Sequence, residues 1–211
     1  MRTERPFDAI FDAGGVFVPH DNAMLFERLA SRCTAAEAME RIVAGHYDRQ
    51  LGTGELPVPD LHRRLRDDLG YDADWEAFLE DWSCHLEIDR GMLALMTALA
   101  AEHRVAVFSN TNAAHWARVE EMTCGALDRF ELHLSHEIGA VKPDVAAFAL
   151  VAERTGAPPS RCLFIDDMAE NVEAARAAGF QAEQFMGQPA LETLLETRGV
   201  RWARTTQETM S

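Results

Sequence analysis

Three short runs of apolar, β-prone residues constrain the fold of this chain more than any other feature of its sequence. They are Phe7–Phe11, Arg104–Phe108 and Cys162–Ile165, and each one ends in small or acidic polar residues. Apolar faces at helical spacing lie between and after these runs, for example from Met92 to Leu99 and from Val172 to Ala178. Strands that alternate with helices are typical of a parallel sheet covered on both faces. The sequence therefore predicts an α/β fold with a Rossmann-like, doubly wound parallel sheet, which weaker strands at 132–135 and 181–185 would extend.

Residues 20 to 88 differ from the rest of the chain, because only helical patterns are visible there. The turn signals Gly52-Thr53-Gly54 and Gly70-Tyr71-Asp72 divide this segment. The predicted helices are Asn22–Arg32, Ala35–His46, Pro57–Leu69 and Asp74–His85. An all-helical block after the first strand of an α/β unit predicts a small cap over the carboxyl edge of the sheet. We therefore expect a catalytic core of residues 1–19 and 89–211, and a helical cap of residues 20–88.

The charge of the chain limits the partners that it can have. A formal net charge of −15 repels nucleic acid and anionic membranes. No apolar run approaches the ~18 residues that span a bilayer, and the first residues show no signal-peptide pattern. The cysteines lack CxxC spacing and are expected to be free, buried or partly buried thiols; they are Cys33, Cys84, Cys124 and Cys162. We expect a cytoplasmic monomer or homodimer without nucleic-acid or membrane partners.

Polar residues at the ends of the three runs are expected to meet in space. In an open parallel sheet, ligands bind beyond the carboxyl ends of the strands, near a switch in strand order. The side chains expected at this edge are Asp12, Ser109, Asn110, Lys142, Asp166 and Asp167. Lys142 lies on a loop, and the proline that follows it disfavours a helical backbone.

This set of side chains predicts phosphoryl chemistry. Clustered carboxylates repel one another unless a cation lies between them, and Mg²⁺ favours carboxylates together with water and phosphate oxygens. With Mg²⁺ present, Asp12 stays ionised and attacks phosphorus, which gives an aspartyl-phosphate. Ser109 and backbone N–H groups would donate to the phosphate oxygens, and Lys142 would supply positive charge. We expect Asp167 to bind the metal directly, and Asp166 to bind it directly or through water.

Four sequence motifs resemble those of the haloacid dehalogenase superfamily and occur in the same order. They are residues 10–16 (IFDAGGV), 108–112 (FSNTN), 141–144 (VKPD) and 164–167 (FIDD) with 170–175 (ENVEAA). The resemblance covers about residues 6 to 186. It implies a hydrolase with a Rossmann-like core, a small helical cap and Mg²⁺. The second motif with His115, the aspartate doublet and residues 54–56 (GEL) are most similar to glucose-1-phosphatase-like sugar phosphatases. The implied substrate is therefore a small phosphorylated metabolite such as a sugar phosphate.

Gly14 is a departure from the usual pattern of this superfamily. In most of its phosphatases an aspartate stands at this position and protonates the leaving group, but the glucose-1-phosphatase-like members share the glycine. The resemblance implies that the Gly14 carbonyl binds Mg²⁺, although glycine has no proton to give. Water, His20 and Asp21 are the open alternatives for the proton source. Loss of a general acid costs ~10²–10⁴-fold in rate.

Two other functions stay open. In a metal-independent 2-haloacid dehalogenase, the same aspartate would displace halide from carbon. At the position of Asp166-Asp167, the sequences of those relatives resemble Ser-Asn, and this difference argues against that function. The second alternative is a weakly active, phospho-ligand-binding protein of the same fold, because the usual acid is missing.

Several residues near the motifs have two interpretations each. Asn110 either braces the loop or contacts the phosphate ligand. Asn112 is expected mainly to cap the helix that follows it. His115 and Trp116 either pack inside the protein or face the site. Arg49 and Glu55 either contact a sugar or lie in a solvated loop.

Overall fold

A five-stranded parallel sheet forms the centre of the molecule. The computed structural model describes residues 8–35, 37–38, 40–41 and 47–203. The strands are β1 (Asp8–Phe11), β2 (Arg104–Ser109), β3 (Glu131–Leu134), β4 (Cys162–Asp166) and β5 (Gln181–Gln184). Their order is β3-β2-β1-β4-β5, and every pairing is parallel. The strand order reverses at β1, which pairs with β2 on one side and β4 on the other, so β1 is the switch point where ligands bind in such sheets.

The segment between β1 and the next core helix is helical in its described part. It contains α1 (Asn22–Ala30), α2 (Tyr47–Gly52), α3 (Val58–Leu69) and α4 (Trp75–Ser83). Three of the predicted helices are thus confirmed with shorter ends, whereas the predicted helix Ala35–His46 lies partly outside the described residues. Helix α2 was not predicted, because its six residues are too few to show an apolar repeat. Buried side chains between Leu25 and Trp82 form an apolar cluster of their own within this segment.

Helices of the core cover both faces of the sheet. They are α5 (Arg90–Ala100), α6 (Ala113–Thr123), α7 (Ser135–Ile138), α8 (Val145–Thr155), α9 (Ala169–Ala177) and α10 (Gln188–Thr197). Successive residues of β1 point to opposite faces. Ala9 and Phe11 pack with buried residues of α5, α6 and α10, whereas Ile10 packs with those of α8 and α9. The predicted α/β class with a doubly wound parallel sheet is therefore confirmed.

The cysteines are free thiols, and one of them differs from the prediction. Cys162 is buried and Cys33 and Cys84 are half-buried, as expected, but Cys124 is exposed. Cys124 follows α6 at its carboxyl end, where the backbone turns into the left-handed region. In the part of the chain that the structure describes, no helix combines the length and the apolar character needed to cross a bilayer.

Candidate active site

The carboxyl ends of the central strands bring three aspartates together. Asp12 directly follows β1, Ser109 ends β2, and Asp166 ends β4 with Asp167 next to it. Because β1 lies between β2 and β4, these positions are neighbours in space although they are far apart in sequence. Carboxylate oxygens of the three aspartates all lie within 4.8 Å of one another.

Lys142 lies between two of these carboxylates. Its Nζ is 2.8 Å from Oδ1 of Asp12 and 2.7 Å from Oδ2 of Asp166, and the residue is only 3% exposed. The ammonium group also lies 5.3 Å and 5.4 Å from the ring centroids of Phe108 and Phe164, whose faces attract cations. Away from water such charges interact strongly, so Lys142 fixes the positions of both carboxylates.

Asn110 holds the backbone of Lys142 rather than its side chain. Its Nδ2 donates to the Lys142 carbonyl at 2.8 Å, and its Oδ1 accepts from the Lys142 N–H at 2.9 Å. The next residue is tied to Ser135, whose Oγ accepts from the Thr111 N–H at 2.9 Å and donates to the Thr111 carbonyl at 3.1 Å. The loop after β2 is thus joined to the lysine loop and to the end of β3. No motif or periodicity in the sequence indicated this role of Ser135.

Asp166 and Asp167 have different surroundings. Asp166 is fully buried, and its oxygens accept from Lys142, from Asn171 Nδ2 at 3.0 Å to each oxygen, and from the Met168 N–H at 2.9 Å. Asp167 is half-buried, and its carboxylate lies against Gly15, where an added Cβ would stand 2.1 Å from Oδ2. The role of Asn171 in holding Asp166 was not predicted, although the residue lies within the fourth motif.

The electrostatics of the cluster fit a divalent cation. Burial raises the pKa of Asp12 to about 7, with Asp166 adding to the rise and Lys142 opposing it. Burial, and next the neighbouring Asp166, also raises the pKa of Asp167. A single lysine therefore leaves negative charge in the cluster uncompensated. Oxygen ligands of this kind are those that Mg²⁺ prefers.

Gly14 lies next to the ring of His20. A Cβ added at Gly14 would stand 3.2 Å from Cε1 of His20. Asp21, by contrast, caps α1, since its Oδ1 accepts from the Ala23 N–H at 2.9 Å and the Met24 N–H at 3.3 Å. Of the two side chains considered as substitute acids, His20 is the one placed beside Gly14.

Comparison with known proteins decides the family. The profile of the haloacid dehalogenase-like hydrolases matches residues 9–179. The chain belongs to this hydrolase family. The predicted superfamily is thereby confirmed.

Relatives within the haloacid dehalogenase-like hydrolases include named phosphatases. D-ribitol-5-phosphate phosphatase from Bacteroides thetaiotaomicron is 26% identical over 185 residues, which cover 83% of this chain and 89% of that protein. Phosphatase MT3486 from Mycobacterium tuberculosis is 42% identical over 81 residues, or 37% of each chain. A crystal structure of the family enzyme bt-2542 from Bacteroides thetaiotaomicron, in complex with magnesium and inorganic phosphate, superposes with a TM-score of 0.78 at 24% identity. That match covers 86% of this chain and 96% of the other and shows a shared fold.

A pocket of about 430 Å³ extends from the sheet edge of this hydrolase toward the helical segment. Its lining includes Ser109, Asn110 and Lys142 at the sheet, and Asn22, Phe26, Arg49, Trp82 and His85 farther along the chain's helical segment. The guanidinium of Arg49 is paired with Asp144 at 2.7 Å. Glu55 is exposed in the turn after α2.

Residues at the start of α6 resolve the open interpretations made there. Asn112 caps the helix as expected, since its Oδ1 accepts from the Ala114 and His115 N–H groups at 3.2 and 3.1 Å. His115 lines the pocket and also stacks on Trp82, with ring centroids 4.7 Å apart. Trp116 lines the pocket from a buried position. Both rings therefore pack and face the pocket at once.

Proposed function

We propose that this chain is a Mg²⁺-dependent hydrolase of small phosphate monoesters, with sugar or polyol phosphates as the substrate class. The observation that carries the proposal is the cluster of Asp12, Asp166 and Asp167 around Lys142 at the end of the central strand. The named phosphatases among its relatives support the same activity. The net charge of −15 repels a phosphorylated substrate, so the site needs a local source of positive charge, which Lys142 and a bound cation would supply.

Three groups would hold the metal in this proposal. Asp12, Asp167 and the carbonyl of Gly14 are the preferred ligands, because the oxygens of Asp166 already accept from Lys142, Asn171 and a backbone N–H. Asp166 would then bind directly or through water. When bound, Mg²⁺ neutralises charge on the phosphate and the carboxylates.

Asp12 acts as the nucleophile in the first step. One of its carboxylate oxygens forms a bond to phosphorus while the ester P–O bond breaks, and the electron pair of that bond leaves with the alcohol oxygen. Ser109 donates a hydrogen bond to a phosphate oxygen, and Lys142 holds the carboxylate in place and balances charge. Water then attacks the phosphorus of the aspartyl-phosphate, which releases inorganic phosphate and restores Asp12.

The leaving oxygen has no acid from Gly14. Water supplies its proton in the simplest scheme, and His20 is the side chain nearest to that position. Esters whose leaving groups need no proton should therefore be hydrolysed fastest.

The proposal includes a division of the chain into a catalytic core and a cap. Residues 20–88 would form a cap over a core of residues 1–19 and 89–211, and the pocket would hold the alcohol part of the substrate between them. The expected cytoplasmic location and the monomeric or dimeric state are likewise predictions.

Hydrolysis of p-nitrophenyl phosphate tests the proposal. Activity should depend on Mg²⁺, disappear with EDTA and return when Mg²⁺ is restored. Asp12→Asn should lower turnover at least about 10³-fold. Asp74→Asn is the matched control, because Asp74 caps α4 away from the lining of the pocket and asparagine caps equally well. Activity that is insensitive to EDTA, or unchanged in Asp12→Asn, would contradict the proposal.

Assays with L- and D-2-chloropropionate test the dehalogenase alternative. A metal-independent dehalogenase has no use for the carboxylates beyond Asp12, so we expect no chloride release. Chloride release in EDTA, measured with an ion-selective electrode, would favour the alternative instead.

A further inference from the structure

His85 is a buried polar side chain that the proposed chemistry does not use. It follows α4, lines the pocket and is only 5% exposed. Its Nδ1 is buried and has no hydrogen-bond partner among the described residues. Buried polar atoms in native proteins nearly always have a partner, and one without a partner calls for an explanation. A ligand in the pocket would supply one.

The ring of His85 is neutral at physiological pH. Burial, and next the neighbouring His20, lowers the pKa of His85 to about 4. A neutral imidazole has one nitrogen that donates and one that accepts. Such a group suits a hydroxyl, which can both donate and accept, better than it suits an anion or a cation.

His85 has two other histidine rings as neighbours. His20 lies against Gly14, and its ring centroid is 6.3 Å from that of His85. The ring centroid of His115 is 5.1 Å from that of His85. All three rings line the pocket that would hold the alcohol part of the substrate.

His115 differs from His85 because both of its ring nitrogens have partners. Its Nε2 lies 2.9 Å from the Trp82 carbonyl, and its Nδ1 lies 3.1 Å from Nδ2 of Asn112. These contacts assign the proton to Nε2 of His115. Of these two rings, His85 is the one with a nitrogen, Nδ1, that could still accept or donate a hydrogen bond to a ligand.

We propose that His85 is a specificity-determining residue that hydrogen-bonds a hydroxyl group in the alcohol part of the phosphate ester. The inference rests on the proposed phosphatase activity. It narrows the substrates to esters of polyhydroxylated alcohols, as opposed to alkyl or aryl esters. Arg49 also lines the pocket, but its guanidinium is paired with Asp144 at 2.7 Å. An apolar ester would leave the nitrogen of His85 unpaired, which is how a polar pocket rejects it.

Three esters separate recognition of hydroxyls from catalysis. They are ribitol 5-phosphate, n-pentyl phosphate of the same carbon number, and p-nitrophenyl phosphate. The wild-type enzyme should prefer the polyol ester to the pentyl ester at least about tenfold in kcat/KM. His85→Phe, which keeps a planar ring without nitrogens, should reduce this preference about 10- to 100-fold, mainly through KM for the polyol ester. Hydrolysis of the other two esters should change less than about threefold.

Two variants at position 85 separate the hydrogen bond from the shape of the ring. His85→Asn keeps a polar atom close to the position of Nδ1 and should retain most of the preference for the polyol ester. If His85→Phe fails to fold, as judged by its thermal unfolding, His85→Ala removes the ring without adding bulk and should show the same loss of preference.

His133→Phe is the matched control, because His133 is also buried and both of its ring nitrogens lack a hydrogen-bond partner among the described residues, yet it lies on β3 outside the pocket lining. It should leave the preference unchanged. An unaltered preference in the Phe and Ala variants, or an equal loss for all three esters, overturns the inference. A wild-type enzyme that hydrolyses none of the esters overturns the proposed function itself, which is a different result.

Discussion

The sheet edge and the pocket wall are both polar and buried, but they differ in the charge that each can hold. At the sheet edge, Lys142 lies 2.7 to 2.8 Å from two carboxylates and opposes the rise that burial causes in the pKa of Asp12. At the pocket wall, neither His85 nor His115 forms an ion pair among the described residues, and burial lowers their pKa values to about 4 and about 3. Burial favours the neutral form in both regions, and the ion pairs of Lys142 oppose it at the sheet edge.

This difference fits the two tasks of a phosphate-ester hydrolase. A charged cluster in a site with little water acts strongly on the phosphate and on the charge that develops in the transition state. Neutral rings can bind hydroxyl groups without attracting anions away from the cluster. The two regions would thus handle the two halves of one substrate.

Removal of the positive charge of Lys142 is expected to have the largest effect on this difference between the two regions. Lys142→Met leaves two buried carboxylates without their cation, so we expect turnover of p-nitrophenyl phosphate to fall about 10³-fold. The free energy of unfolding, measured in urea, should fall by about 3 kcal/mol, because breaking a buried ion pair exposes the cost of burying its remaining charge. A loss of activity below about tenfold would show that the cluster does not depend on this lysine.

The next prediction displaces one carboxylate without changing any charge. Gly15 has φ +67°, and a Cβ there would stand 2.1 Å from Oδ2 of Asp167, so Gly15→Ala must push the carboxylate aside. We expect the Mg²⁺ concentration for half-maximal activity to rise about 10- to 100-fold.

Gly139→Ala provides the control for Gly15→Ala. Gly139 has a similar φ of +72°, but an added Cβ there would meet nothing within 4 Å. Both variants carry the backbone cost of about 1 kcal/mol for a left-handed alanine. Only Gly15→Ala should change the Mg²⁺ requirement, and an equal change in both would contradict the assignment of Asp167 to the metal site.

The buried, neutral ring of His115 predicts that the protein loses stability in acid. Burial, and next the neighbouring His85, lowers the pKa of His115 to about 3, whereas an unfolded histidine titrates near its model value of 6.5. The unfolded state therefore binds more protons than the folded state below pH 6.5. The free energy of unfolding is thus unaffected by the titration of His115 above that pH and falls as the pH drops toward 3. The decline is at most about 1.4 kcal/mol per pH unit.

Urea unfolding of His115→Gln at several pH values between 7 and 4 checks this prediction. The variant has no imidazole to titrate, so its free energy of unfolding should fall less steeply with acid than that of the wild type. The comparison of slopes removes the contributions of carboxylates that both proteins share. Parallel curves would mean that His115 is not held neutral by the fold.

The smallest effect is expected for an exposed ion pair that joins α2 to the core. Arg49 and Asp144 lie 2.7 Å apart, but their side chains are 66% and 41% exposed. Arg49→Ala should therefore leave the urea midpoint of unfolding almost unchanged, because water screens an exposed ion pair. A double-mutant cycle with Asp144→Ala measures the coupling, and a value near that of the Lys142 pairs would erase the distinction between exposed and buried charges.

The sheet and the charged cluster could be predicted from local patterns in the amino-acid sequence. Strand runs at positions 8–11, 104–109 and 162–166 carry local signals, and a parallel sheet brings their carboxyl ends to one edge whatever the helices between them do. Asp12, Lys142 and the Asp166-Asp167 doublet could therefore be proposed as one site before their distances were known.

The polar groups that support the cluster, and those that form the pocket wall, could not be predicted in this way. The bracing by Asn171, the link through Ser135 and the unpaired nitrogen of His85 follow from contacts made across the fold. The contact of His115 with Trp82, for example, joins residues 33 positions apart. Periodicity in a sequence reports which face of a helix or strand is buried, but it does not report what lies against that face. The partner of a buried polar atom, and hence its charge, is set by that second fact alone.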